Sequence, residues 1–261
     1  MNINLPYLPQ RDEKPRRHGL TMVMDKGLSI RDAENMIQVS GHLVDYVKLG
    51  FGTSMVSNGV QEKVKIYKEA GIRTYLGGTL FEAFVIRDMF DEYRKMIDGL
   101  GIDTVEVSDG SMHMEHERKC ELIHNLSRYY HVISEVGSKE ASVIISPSRW
   151  IKMMSAELEA GALKVIAEAR ESGNVGIFRS NGNAHVVLIN RILEKVKGEN
   201  IIWEAPNKSQ QVWFIKLLGA NVNLGNIAPT DIIPLETLRL GLRGDTFFQH
   251  LPGDLQKKYL Q

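Results

Sequence analysis

A chain of 261 residues with 32 Lys plus Arg against 32 Asp plus Glu has no formal net charge, which excludes the basic excess that binding a phosphate backbone requires. Its 43% apolar and 25% charged residues are the mix of a folded globular protein and exclude disorder as the main state. Cys120 is the one cysteine, so an intramolecular disulfide is excluded; with no apolar leader in MNINLPYLPQRDEKPRRHG and no run of about 18 apolar residues, the expectation is a cytoplasmic chain with no membrane span.

In chain order, residues 1–18, with Pro6, Pro9 and Pro15 among charges, read as an irregular lead-in. From residue 19 to 261 one pattern recurs eight times: a short apolar or β-branched run, a sharp polar or glycine-rich turn, then an amphipathic stretch. The strand segments are 20-LTMVMDKG, 45-DYVKLGFGTS, 72-IRTYLGGT, 103-DTVEVSDGS, 131-HVISEVGSK, 164-KVIAEARESG, 200-NIIWEAPNKS and 221-NVNLGNI. Helical candidates between them include 60-VQEKVKIYKEAG, 82-EAFVIRDMFDEYRKMIDGLG, 115-EHERKCELIHNLSRYY, 148-SRWIKMMSAELEAG, 184-AHVVLINRILEKVKG and 209-SQQVWFIKLLG. Gly71, Gly101, Gly161 and Gly219 stop helices just before strands. Eight such units in about 240 residues predict an α/β fold, a single (β/α)8 TIM barrel. No G-x-G-x-x-G or G-x-x-x-x-G-K-[ST] fingerprint accompanies them.

Strands covered by helices should be nearly continuous apolar runs, yet seven of the eight carry an ionisable residue at or just past the C-terminal end. In order these are Asp25 and Lys26, Lys48, Glu82, Glu106 and Asp109, Glu135 and Lys139, Glu168 with Arg170 and Glu171, then Glu204 and Lys208; the eighth offers Asn223 and Asn226. In a barrel all of them converge on the face where barrel enzymes place their chemistry. Glu106, Glu135, Glu168 and Glu204 stand inside otherwise apolar segments, where an unpaired carboxylate is very costly, so they need either a divalent cation or the strand-end Lys and Arg. Mg²⁺, which accepts a few carboxylates plus water and substrate oxygens, suits such a mouth. The eight histidines form no H-E-x-x-H or H-x-x-x-H pair, and Ser54, Ser108 and Ser172 lack a G-x-S-x-G elbow, so zinc and Ser-His-Asp chemistry are unsupported. Cys120 and the Met153-Met154 and Trp213-Phe214 pairs read as helix packing. Carboxylates beside Lys26, Lys48, Lys139, Arg170 and Lys208 suit a small anionic, phosphorylated or carboxylated substrate.

The strand-end stretches 19-GLTMVMDKGLS, 45-DYVKLGFGTS, 77-GGTLFE, 105-VEVSDGS, 135-EVGSK, 170-RESG, 204-EAPNKSQQ, 221-NVNLGNI and 235-LETLRLGLRGDTF resemble the phosphosulfolactate synthase family across nearly the whole chain. The resemblance implies a (β/α)8 barrel that adds sulfite to phosphoenolpyruvate with Mg²⁺ to give (2R)-3-phosphosulfolactate, a carbon–sulfur lyase in the reverse sense that serves coenzyme M formation in methanogens. On that resemblance Lys139 is the general acid, and Glu106, Asp109, Glu135 and Glu168 are metal ligands. Lys26, Lys48 and Arg170 would bind substrate phosphate and carboxylate. Lys208, Ser209 and Gln210 would orient sulfite or phosphate, and Asn223 and Asn226 would hydrogen-bond the substrate. Arg239 and Arg243 are expected to be structural, and a homo-oligomer is expected. Two departures stand out: Ala169 replaces a family glycine, where a methyl group could narrow the pocket, and Ser138 leaves Lys139 as the one lysine of its turn. The family also contains heat-stress-associated plant proteins, so a different nucleophile or a non-catalytic role are the alternatives.

Overall fold

The computed structural model describes residues 4–137, 145–170 and 172–259. Eight strands alternate with helices in chain order: β1 (Thr21–Asp25), α1 (Ile30–Ser40), β2 (Tyr46–Leu49), α2 (Val60–Glu69), β3 (Arg73–Leu76), α3 (Gly78–Val85), α4 (Phe90–Leu100), β4 (Thr104–Val107) and α5 (His116–Ser127). The second half continues with β5 (His131–Val136), α6 (Pro147–Glu159), β6 (Lys164–Ala167), α7 (Val186–Leu193), β7 (Ile201–Glu204), α8 (Lys208–Leu218), β8 (Leu224–Ile227), α9 (Ile232–Arg239) and α10 (Gly253–Tyr259). The strands are all parallel, in the order β3-β2-β1-β8-β7-β6-β5-β4, so the sheet curls until β3 and β4 face each other across a seam. This is the (β/α)8 TIM barrel that the eightfold pattern predicts.

Period-two alternation sorts each strand's side chains. Outward residues such as Val23, Val47, Val105 and Val132 meet one run of helices, and Val165, Ile201, Trp203 and Leu224 meet the other. Inward, Leu20, Met22, Tyr46, Tyr75, Ile133, Ile166 and Ile202 form a separate plug inside the barrel. Each such apolar side chain stabilises by about 1.5–3 kcal/mol when fully buried. Gly225 is what the plug demands of β8: a methyl group there would come within 2.7 Å of Met22 Cε.

Local signals set the helix ends. The Ser29 hydroxyl accepts from Asp32 N–H at 3.1 Å and the Asp32 carboxylate returns to Ser29 N–H, which starts α1. Ser146 caps α6 with Pro147 in its first turn. One expectation is corrected. The helix anticipated over 82–101 is two, α3 and α4, broken at residues 86–89, where Asp88 adopts φ +54°. The lead-in over residues 4–18 has no helix or strand and is tied to the strand N-terminal end of the barrel by Arg11 and Arg16.

Candidate active site

At the opposite end, the strand C-termini carry five ionisable side chains directly above the apolar plug. Lys48 comes from β2, Glu106 from β4, Glu135 from β5, Glu168 from the residue after β6 and Glu204 from the last position of β7. All are buried. The Lys48 ammonium stands among the carboxylates, 2.9 Å from Glu106, 3.1 Å from Glu135 and 3.8 Å from Glu204. Neutral donors hold two of the acids in place: Gly78 N–H donates to Glu106 Oε1 at 2.6 Å and Ala169 N–H to Glu204 Oε2 at 2.9 Å. Glu106 thereby bridges the β3–β4 seam. The ring opens into a cavity of about 290 Å³ whose walls add Met24, Phe51, Thr79, Arg170, Ser172 and Asn226.

The electrostatics follow from burial. Desolvation, opposed by Lys48 and reinforced by Glu135, holds Glu106 above its usual range, and the same causes push Glu204 up to about 7. Burial disfavours the charge on Lys48 as well, yet Glu106, Glu135 and Glu204 outweigh it and keep the ammonium protonated. Fully ionised, four carboxylates against one ammonium leave an excess of three negative charges. A hard divalent cation fits that set in donor chemistry and charge. Among the described residues no three His, Cys, Asp or Glu side chains close on one point as they stand.

Three cavity residues have strained backbones. Phe51, Arg170 and Asn226 adopt φ of +52°, +54° and +57°, a left-handed conformation that non-glycine residues hold only where their surroundings impose it. Asn226 also keeps a buried Oδ1 with no hydrogen-bond partner, facing the cavity.

Of the residues expected at the site, the structure gathers Lys48, Glu106, Glu135, Glu168, Arg170 and Asn226 around the cavity. Others are placed elsewhere. Asp109 is 2.8 Å from Lys119 and lines a neighbouring hollow of about 670 Å³ instead. Lys26 is exposed on the turn after β1 and does not line the cavity. Lys208 pairs with Asp245 at 2.8 Å, Ser209 is exposed, and Gln210 caps α8 by accepting from Asn207 N–H at 3.2 Å. Asn223 sits at the other end of the barrel, accepting from Leu20 N–H and donating to the Glu199 and Ile201 carbonyls, which uses its side chain for closure. The Ala169 methyl packs in the apolar wall and does not line the cavity, so it does not narrow it. Lys139 and Glu171 lie outside the described residues. Cys120 is half-buried on α5, with Sγ 3.9 Å from His116 Nε2, rather than in the core. Sequence reasoning missed Phe51 and Thr79, although both follow glycines at strand ends, where chain reversal turns the next side chain toward the mouth.

A family model described as (2R)-phospho-3-sulfolactate synthase (ComA) matches residues 9–245. The chain is 43% identical over 244 residues to the phosphosulfolactate synthase of Methanothermobacter thermautotrophicus, covering 91% of this chain and 95% of that one. It is 40% identical over 244 residues to the phosphosulfolactate synthase of Bacillus subtilis, covering 92% and 97%. Among solved structures, 3-hexulose-6-phosphate synthase from Salmonella typhimurium superposes with a TM-score of 0.53 at 15% identity, over 86% of this chain and 100% of that one, a likeness of fold alone.

Proposed function

Because the chain belongs to the (2R)-phospho-3-sulfolactate synthase family, we propose that it adds sulfite to phosphoenolpyruvate in a reaction that needs Mg²⁺. What carries the reading is the ring of four buried glutamates around Lys48, open to a cavity with Arg170 and Asn226 in its wall. A barrel with no anionic chemistry to perform would lose such carboxylates, because each is expensive to bury.

Sulfite sulfur attacks the methylene carbon of phosphoenolpyruvate. The new C–S bond forms as the π pair moves onto C2 and the carboxylate, and a proton added at C2 completes the product. Attack at the methylene puts the sulfonate on C3 and leaves the phosphate on the C2 oxygen, so the product is (2R)-phospho-3-sulfolactate and the 3-phospho isomer is corrected. Lys48 would meet the developing negative charge without reorganising, since its three glutamate partners already hold the ammonium. Arg170, on its strained turn, faces the cavity as a phosphate or carboxylate clamp, and Asn226 supplies an amide for orientation. Glu106, Glu135 and Glu168 are the residues we assign to Mg²⁺, which when bound would lower the energy of charge on the substrate carboxylate. Lys139 remains our assignment as the acid that protonates C2, on family resemblance and its place after β5. A cytoplasmic, homo-oligomeric enzyme completes the reading, the latter supported by exposed Ile233, Leu242 and Phe247 near the C-terminus.

The test is direct. Purified protein with phosphoenolpyruvate, sulfite and Mg²⁺ is expected to form phosphosulfolactate, followed by ³¹P NMR or mass spectrometry, and EDTA is expected to stop it. Product that survives EDTA would remove the metal from the reading. Phosphoenolpyruvate that raises the melting temperature without yielding product would keep the site and change the nucleophile, and neither product nor binding would favour a non-catalytic role.

A further inference from the structure

Behind β4 and β5, on the side away from the cavity, the packing of α5 and α6 is not apolar. Lys119 of α5 and Glu157 of α6 are both fully buried, with Nζ 3.0 Å from Oε1. The other two ammonium protons reach Asp109 Oδ1 at 2.8 Å and the backbone carbonyl of Glu135 at 2.6 Å. The second Glu157 oxygen accepts from the Ser134 hydroxyl, and His116 Nε2 lies 3.2 Å from the first. All three donors of Lys119 are thus spent on protein partners.

Stability does not explain this network. Helix-facing positions of a parallel sheet are ordinarily apolar, and a buried ion pair can often be replaced by apolar side chains of similar volume with no loss of stability. The network instead ends on the catalytic face. Glu135, whose carbonyl Lys119 holds, is the residue whose carboxylate meets Lys48 at 3.1 Å. Asp109, held by the same ammonium, belongs to the turn that leaves β4 just after Glu106 and Ser108. Ser134, held by Glu157, is the residue before Glu135 and also donates to Val107 O at 3.3 Å. One buried cation therefore grips both strand exits that carry two members of the ring.

We propose that Lys119, backed by Glu157, is a positioning residue for the reaction: it fixes the backbone of Glu135 and the turn at Asp109, and so sets where the Glu135 carboxylate stands. The inference rests on the synthase reading for its kinetic test and on geometry alone for its second test.

The informative variant is the double replacement Lys119→Met with Glu157→Met, which removes the charges together and keeps the volume. It is expected to unfold cooperatively within about 5 °C of the wild type, to leave KM for phosphoenolpyruvate within about threefold, and to lose kcat by about tenfold or more through displacement of Glu135. A double variant with wild-type kcat overturns the proposal, as does one in which kcat, KM and melting temperature fall together, since that is the mark of a merely structural pair. Should the double variant not fold, Lys119→Gln with Glu157→Gln, which removes both charges and the ammonium's grip while keeping an acceptor for Ser134, carries the same split. Amide hydrogen exchange supplies the second test and needs no turnover. The β5 segment 133–137 should exchange faster in the variant while β1–β3 remain unchanged, and unchanged β5 protection overturns the proposal even where wild-type protein makes no product.

Discussion

Gly78 shows how little room the site leaves around its acids. A methyl group on its α-carbon would come 2.6 Å from Glu106 Oε1 and closer still to the Ser108 hydroxyl, so Gly78→Ala must move the carboxylate that bridges the seam. Alanine is otherwise welcome in a helix, and the variant is expected to fold while kcat/KM falls by about tenfold or more; steady-state kinetics beside a thermal melt would show the two effects apart. Lys48→Met asks more of the fold, because it leaves Glu106, Glu135 and Glu204 without their shared cation. Breaking such a buried pair costs about 3–5 kcal/mol, and Mg²⁺ should restore part of the lost melting temperature by taking the vacated place; a melt indifferent to Mg²⁺ would count against the metal assignment. The ring glutamates were legible in the sequence because a charge within VEV, SEV, AEA or WEA violates an apolar pattern. The division of labour among the other acids was not. Asp25 accepts from Gly27 and Leu28 N–H and meets Lys63 at 2.8 Å and the Tyr67 hydroxyl at 3.0 Å, while Glu82 binds the Ser108 hydroxyl and Ser111 N–H. Those acids shape loops, and their distant partners, Lys63 and Tyr67 on α2 for Asp25 and Ser108 and Ser111 in the loop after β4 for Glu82, are ones no local pattern identifies.

The eight strands could be read from the sequence because each is short, apolar and followed by a turn, and the observed spans all fall inside the anticipated segments. The α3–α4 division was hidden. Apolar residues continue at helical spacing through 82-EAFVIRDMFDEYRK with no glycine or proline to mark a stop, and the break comes from tertiary demands instead. α3 must start at Gly78 to present its first amide to Glu106, whereas α4 packs Tyr93 and Ile97 into the apolar layer outside the barrel. The helix starts with side-chain caps, at Ser29 and Ser146, were not among the anticipated features, although their chemistry is local. At α1 that chemistry can be tested in isolation: Ser29→Ala removes the acceptor for Asp32 N–H and is expected to cost about 1 kcal/mol. Ser29 is exposed and its role is confined to this turn, so a lower urea midpoint with an unchanged slope is the expected reading, and a changed slope would show that the cap also governs the compactness of the chain.

At the scale of the whole barrel, the two ends are closed by opposite means. The end with the strand C-termini gathers acids around one ammonium, and the other end gathers backbone carbonyls around arginines. Arg239, fully buried, donates to the carbonyls of Ala220, Val222 and Leu20 at 2.5, 2.7 and 3.2 Å, joining the residues that lead into β8 and β1. Arg11 from the lead-in adds Gly19 O and Ala220 O at 3.1 Å and pairs with Glu236 at 2.8 Å, while Arg16 reaches Asp45 at 3.2 Å and His42 O at 2.9 Å. The lead-in thus completes the base of the barrel, a role its proline-rich sequence does not reveal, because the groups it meets include Ala220 O and the Glu236 carboxylate, more than two hundred positions away. Arg239→Met would take the donor from Val222 O, while Ala220 O keeps Arg11 and Leu20 O keeps Leu224 N–H, and is expected to cost about 1–3 kcal/mol, the penalty of one buried group left unsatisfied. For a chain of this size that corresponds to a fall in melting temperature of roughly 2–12 °C. The glutamate ring stands at the far end of the strands, beyond the apolar plug of Met22, Tyr46, Tyr75 and their neighbours, so kcat and KM at 25 °C should stay at wild-type values. Loss of turnover in a variant that is still fully folded at that temperature would mean that the plug transmits strain from one end of the barrel to the other, and that closure of the base is part of how the ring is held.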